Sequence, residues 1–146
     1  MFKKFLSLST LITLLCSCST TSKQNFKRFA PCPSSPNCVS SQAIDSTNSY
    51  VKPIPYSHKL SFNQVSNIII KTNLTMPRSK LITNDNEYLH FEFRTALGFV
   101  DDVEYQINQQ EHLIYFRSAA RLGYYDFGKN RARYNEIKEK LIPLLK

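Results

Sequence analysis

Between residues 79 and 119 four short strand-like runs follow one another, and the turns between them are only three or four residues long. The runs are Ser79–Thr83, Tyr88–Thr95, Phe99–Ile107 and His112–Ala119. Turns this short cannot hold a crossover, so each run must pair antiparallel with the next. Helical patterns flank the four runs. Ser61-Phe62-Asn63-Gln64 fits a capping box, and Phe62, Val65, Ile68 and Ile69 recur at helical spacing, with Ile70 and Leu74 behind them. A helix over about 62–74 follows, ended at Thr75-Met76-Pro77. A second is expected over about 131–142, with Tyr134, Ile137 and Leu141 apolar, and Pro143 should end or kink it. The predicted fold is α+β: a four-stranded antiparallel meander with two helices packed on one face, in the order helix, four strands, helix. An extended N-terminal segment precedes it, in which Pro53 and Pro55 act as breakers.

The N-terminus constrains the compartment. Lys3 and Lys4 precede an apolar run from Phe5 to Leu15. The run is too short to span a bilayer, which takes roughly 20 residues, and it has the build of a secretory signal. Leu15-Cys16-Ser17-Cys18 resembles the lipobox of bacterial lipoproteins. That resemblance implies cleavage after residue 17 and lipidation, palmitate included, on Cys18. Cys16 is the weaker alternative, because it puts Leu14 and Leu15 where small residues belong. Residues 18–30 then form a polar tether and 31–146 a single domain. The expected location is the cell envelope, on the outer membrane facing the periplasm in a Gram-negative host, where Ser19 permits export.

The chain carries a formal net charge of +8, and losing residues 1–17 lowers it by two lysines. An exported protein rarely meets nucleic acid, so anionic lipids or cell-wall polymers are the expected counterions. Cys32 and Cys38 are the two remaining thiols, held in Pro31-Cys32-Pro33-Ser34-Ser35-Pro36-Asn37-Cys38. In an oxidising compartment a disulfide is the economical reading. A metal or redox pair is the alternative, although the spacing is not Cys-x-x-Cys and no histidine lies near.

The segment Cys32-Pro33-Ser34-Ser35-Pro36-Asn37-Cys38-Val39-Ser40-Ser41 resembles the DUF1499 family, an uncharacterised bacterial and plastid domain. Three further segments agree in order: Tyr88–Glu92; Gly98–Glu104; and Arg117-Ser118-Ala119-Ala120-Arg121 through Gly123, Asp126, Gly128 and Asn130-Arg131 to Arg133. The resemblance covers about residues 30–145. Ala120 and Tyr125 stand where the family commonly has Ser, so roles resting on those hydroxyls do not transfer. The resemblance implies a domain and no established chemistry.

Alternation along the strands sorts the remaining candidates by face. Leu89, Phe91, Phe93, Val103, Tyr105 and Ile107 should face the helices. His90, Glu92, Arg94, Asp102, Glu104, Tyr115 and Arg117 should share the open face. Three readings follow. One is a solvated face of cross-strand ion pairs. Another is a polar groove in which His90 works with Glu92 or Asp102 as acid and base. The third is a metal site on His90, Glu92 and Asp102. Asp101 should point inward and require a partner, with Arg121, Arg131 or loop amides available. Asn130 can cap the last helix and, with Arg117, Arg121 and Arg131, frame an anion site. Alternatively these arginines and Arg133 pair with Asp101, Asp102 and Asp126. No Gly-x-Ser-x-Gly, His-Glu-x-x-His, phosphate loop or zinc spacing is present. No cofactor is expected. The function expected is that of a non-catalytic envelope module binding an anionic ligand or a protein partner. A hydrolase using His90 is the alternative.

Overall fold

The computed structural model describes residues 29–85 and 87–146. The signal-like segment, Cys16, Cys18, most of the tether and Asn86 of the first turn lie outside the described residues. In chain order the elements are β1 (Cys38–Ser40), β2 (Ile54–Pro55), α1 (Phe62–Leu74), β3 (Ser79–Asp85), β4 (Tyr88–Arg94), β5 (Val100–Asn108), β6 (Leu113–Ala120) and α2 (Lys129–Leu141). One 3-10 turn over Ile142–Leu144 follows α2 and contains Pro143.

The α+β class is as expected, but the sheet has six strands, not four. β3 to β6 form the antiparallel meander, and β1 and β2 both add to the outer edge of β6. Cys38 lies opposite Ala119, and Ile54 opposite Ile114. The N-terminal segment is therefore part of the sheet, and the order helix, four strands, helix is incomplete. The physical reason is length. Strands of three and two residues are too short to show alternation, and β2 ends at a proline whose missing N–H suits an edge.

α1 begins with the expected capping box: Ser61 Oγ accepts from the Gln64 N–H, and Gln64 Oε1 accepts from the Ser61 N–H at 2.8 Å. Val65 and Ile69, one turn apart, are fully buried, and Phe62, Ile68 and Ile70 pack at the margin. Leu74 stands exposed and is not part of the stripe. The facing sheet surface carries Leu89, Phe91, Phe93, Val103, Tyr105, Ile107, Ile114 and Phe116, all buried. Tyr105 and Phe116 lie opposite each other in register, so they mark one face. The Tyr105 hydroxyl donates to Asn73 Oδ1 of α1 at 2.8 Å, and the Phe116 ring lies 5.2 Å from that of Tyr134 in α2. Both helices thus cover the same side, and the core closes between Val39 and Leu145 within the described residues.

α2 starts two residues before its expected position. Its N-cap is Gly128 in the left-handed region at φ 73°, so the expectation that Asn130 caps this helix is corrected. The Asp126 carboxylate accepts from the backbone N–H of Gly128 at 2.9 Å and of Asn130 at 2.8 Å. An acid just ahead of the helix satisfies two of its first amides and complements its dipole. Asn130 instead sits buried in the first turn.

Candidate functional site

The face of the sheet away from the helices carries the residues that alternation assigns to it. Glu92 lies opposite Asp102, His90 opposite Glu104, and Glu104 opposite Arg117. His90 Nε2 lies 2.6 Å from Asp102 Oδ1. Arg121, just past β6, bridges Asp102 and Glu92 at 2.8 and 2.6 Å. Arg94 adds a 3.2 Å contact to Glu92. One strand along, Arg117 donates to Glu104 at 2.6 Å, and Glu104 also accepts from the Tyr88 hydroxyl at 2.7 Å.

The electrostatics follow from these contacts. Burial raises the Asp102 pKa, but hydrogen bonds from Arg121 and His90 outweigh it and hold the carboxyl below its usual range. The Arg121 hydrogen bond does the same for Glu92. The two carboxylates in turn push the Arg121 guanidinium up. Burial and the Glu104 contact raise the Tyr88 phenol. The acid/base candidates thus sit in a network whose charges neutralise one another. Two atoms on this face, Gln106 Oε1 and Arg117 Nε, are buried without a hydrogen-bond partner. Among the described residues no three His, Cys, Asp or Glu side chains are grouped to hold a metal, and the reading of His90, Glu92 and Asp102 as a ligand set is not supported.

The four residues expected to frame an anion site are not brought together. Arg117 and Arg121 belong to the polar face. Arg131 donates to the backbone carbonyls of Asn48 and Tyr50 on another side of the molecule. Asn130 lies between sheet and helix, accepting at Oδ1 from Ser118 at 2.5 Å and from Arg133 at 2.7 Å. Its amide donates to the Asn37 carbonyl and to Asp126, both at 2.8 Å. Asp101 points inward as expected, but its partner is Arg133 at 2.6 Å rather than Arg121 or Arg131. α2 begins at Lys129, and this phase turns Arg133 to the sheet and Arg131 away from it. Ser118 faces this buried cluster and not His90.

Cys32 and Cys38 form a disulfide. The loop it closes is pinned to the segment before α2, because Asn37 Nδ2 donates to the Gly123 carbonyl at 2.5 Å and the Ala120 N–H donates to the Asn37 carbonyl at 3.0 Å.

Sequence reasoning missed a second surface. The β4–β5 turn and the loop between β6 and α2 meet at one end of the sheet, joined by the Arg121 N–H to the Val100 carbonyl at 3.0 Å. Six of the eleven exposed large hydrophobic side chains among the described residues stand here: Leu97, Phe99, Leu122, Tyr124, Tyr125 and Phe127. All but Tyr124 border a cleft of about 330 Å³, with Asp101 at its base and Lys129 on its wall. No periodicity marks these residues. The available signal was their density of large apolar side chains in a segment that is neither strand nor helix.

No curated protein sequence matches this chain. The model of the family described as "Protein of unknown function (DUF1499)" matches residues 28–141, through the last turn of α2, and the chain belongs to that family.

Proposed function

We propose that this protein is a lipid-anchored, non-catalytic binding module of a bacterial cell envelope, whose working surface is the apolar loop end. The observation that carries the reading is the closed pairing of the polar face. A general acid or base must present an exchangeable position to substrate. Here Glu92 and Asp102 share Arg121, and Asp102 engages His90 at Nε2, so the pairing leaves Nδ1 as the one ring position of His90 not held by a carboxylate. The arginines expected to hold a free anion are likewise held by carboxylates or backbone carbonyls. The six apolar side chains at the loop end lie outside the buried core, and exposed apolar surface gathered in this way marks interaction sites. The signal-like N-terminus and Cys18 support the envelope location and the membrane as the anchor's partner. In a Gram-negative host this is the outer membrane, facing the periplasm.

A second reading, a hydrolase using His90 with Asp102 or Glu92, has one observation in its favour. The 2.6 Å His90–Asp102 contact is the orienting half of a nucleophile–base pair. Ser118 does not complete it, being buried on the opposite face against Asn130 and Arg133. Chromogenic ester, phosphate and glycoside substrates test both readings on the parent and on His90→Ala. We expect no turnover above buffer in either. Turnover by the parent that His90→Ala abolishes, with the fold intact by circular dichroism, would establish the hydrolase and remove the binding-module reading.

A further inference from the structure

We infer that the loop end docks on an anionic lipid bilayer, with Leu97, Leu122, Tyr124 and Phe127 entering the boundary between headgroups and acyl chains. The inference rests on the binding-module reading and names its partner. Leu97 is 85% exposed, Phe127 81%, and Leu122 and Tyr124 73% each. They project from two loop tips, where insertion needs no rearrangement of the sheet. The backbone favours this presentation, because Phe127 takes a left-handed φ of 56°, uncommon for a bulky residue, and points outward.

Charge fits the same partner. The acids at this end are engaged within the protein. Asp101 is held by Arg133, Asp102 and Glu92 by Arg121, and Asp126 by the start of α2. Arg78 and Lys129 stand exposed at its margin, Arg78 tied to the Arg94 carbonyl at 2.9 Å, and Arg94 is exposed beside them although it contacts Glu92 at 3.2 Å. Apolar and aromatic tips within a basic rim match an anionic lipid surface, where each Lys or Arg contributes about 1 kcal/mol. The disulfide loop borders this end, its Asn37 amide donating to the Gly123 carbonyl at 2.5 Å, while Phe29 itself is held by Gln42. The described chain starts at Phe29 and leads into the disulfide loop, whose Pro33 and Pro36 share a cleft with Tyr125. The eleven residues from Cys18 to Phe29 reach at most about 40 Å when fully extended. A lipid on Cys18 therefore keeps this end within reach of the membrane.

The chain has no tryptophan, so Phe127→Trp supplies a single reporter. It is placed in the chain from Ser19 onward, which contains the whole core and lacks the lipid. Vesicles of phosphatidylglycerol and phosphatidylethanolamine are compared with pure phosphatidylcholine. We expect a blue shift and quenching by brominated acyl chains on the anionic vesicles only. Leu97→Ser with Leu122→Ser should weaken binding at least about tenfold. Ile44→Trp, equally exposed on another loop, should show neither shift nor quenching. Unshifted emission from the residue 127 reporter on vesicles that retain the protein would overturn the inference, as would binding indifferent to the two leucine changes. Emission that shifts with protein concentration alone would assign the surface to a second copy and overturn it too. Such failures leave the non-catalytic reading standing. That reading falls only to turnover dependent on His90, which the vesicle experiment does not measure.

Discussion

Asp101 and Asp102 are identical neighbours that β5 sends to opposite sides of the sheet, and their environments set different roles. Asp101 is 4% exposed and meets Arg133 at 2.6 Å, in a pair removed from water on both sides. Breaking such a pair from one side leaves an uncompensated buried charge. We expect Asp101→Ala to lower the unfolding free energy by about 3 kcal/mol in urea titration. Arg133→Met in the same chain should cost less than the two single changes added together, because the pair acts as a unit. A loss for Asp101→Ala no larger than an ordinary surface substitution would show that water reaches Arg133. Asp102, with Glu92, instead governs acid sensitivity. Their pKa values are depressed in the folded state. Unfolded chains therefore bind more protons as the pH falls through the carboxylate range. The stabilisation is complete above pH about 4.5 and disappears as the pH falls through the lowered folded values. Arg121→Met should accordingly lower the thermal midpoint at pH 7 and match the parent near pH 2. A deficit that persists undiminished at pH 2 would assign Arg121's contribution to packing of its stem.

At the level of elements, what the sequence discloses depends on whether an element has a period of its own. α1 is legible to the residue, because the Ser61–Gln64 box and the Val65–Ile69 stripe are local signals. The meander is legible because alternation and short turns are local too, and alternation assigns His90, Glu92, Asp102, Glu104 and Arg117 to one face correctly. β1 and β2 are not legible, since they exist only as additions to the edge of β6. The sequence leaves the partner of Asp101 open among several arginines, Arg133 included, for a related reason. Which arginine faces the sheet depends on where α2 starts, and the left-handed Gly128 with the Asp126 carboxylate sets that start. The loop end shows in the sequence only as a density of large apolar side chains, because its surface forms when the β4–β5 turn meets the segment before α2. β1 is held at its entrance by the Cys32–Cys38 bond, which closes a short loop. Replacing both cysteines by serine should cost about 2 kcal/mol, from the loop entropy released to the unfolded chain. The same loss should appear when the parent is unfolded in excess reductant. Because the Asn37 carbonyl in this loop accepts from the Ala120 N–H, amide exchange should quicken at Ala120 before it does in β4. Uniform quickening across the sheet would mean that the disulfide stabilises the fold only globally.

The whole molecule combines a one-sided core, a polar face whose charges pair with one another, and an apolar end beside the disulfide loop. A domain of this size has a radius of gyration of roughly 13 Å. A tether reaching about 40 Å therefore allows almost any face to approach the bilayer, and it sets proximity without setting orientation. Orientation falls to the surface that gains free energy on contact, which is the loop end with its basic rim. Among the described residues no helix is long and apolar enough to cross a membrane, and the proposed reading assigns attachment to Cys18. A single acyl chain gives marginal, reversible binding, and stable attachment takes a second signal. A lipidated Cys18 and an inserting loop end together meet that requirement. Palmitate labelling in cells locates the first of them. Cys18→Ala should lose the label and release the protein from the membrane fraction, whereas Cys16→Ala should keep both, because Leu14 and Leu15 make residue 16 a poor cleavage point. Label retained in Cys18→Ala and lost in Cys16→Ala would move the anchor two residues back. Label absent from the parent would leave the loop end as the sole membrane contact, and binding should then fall away as salt screens its basic rim.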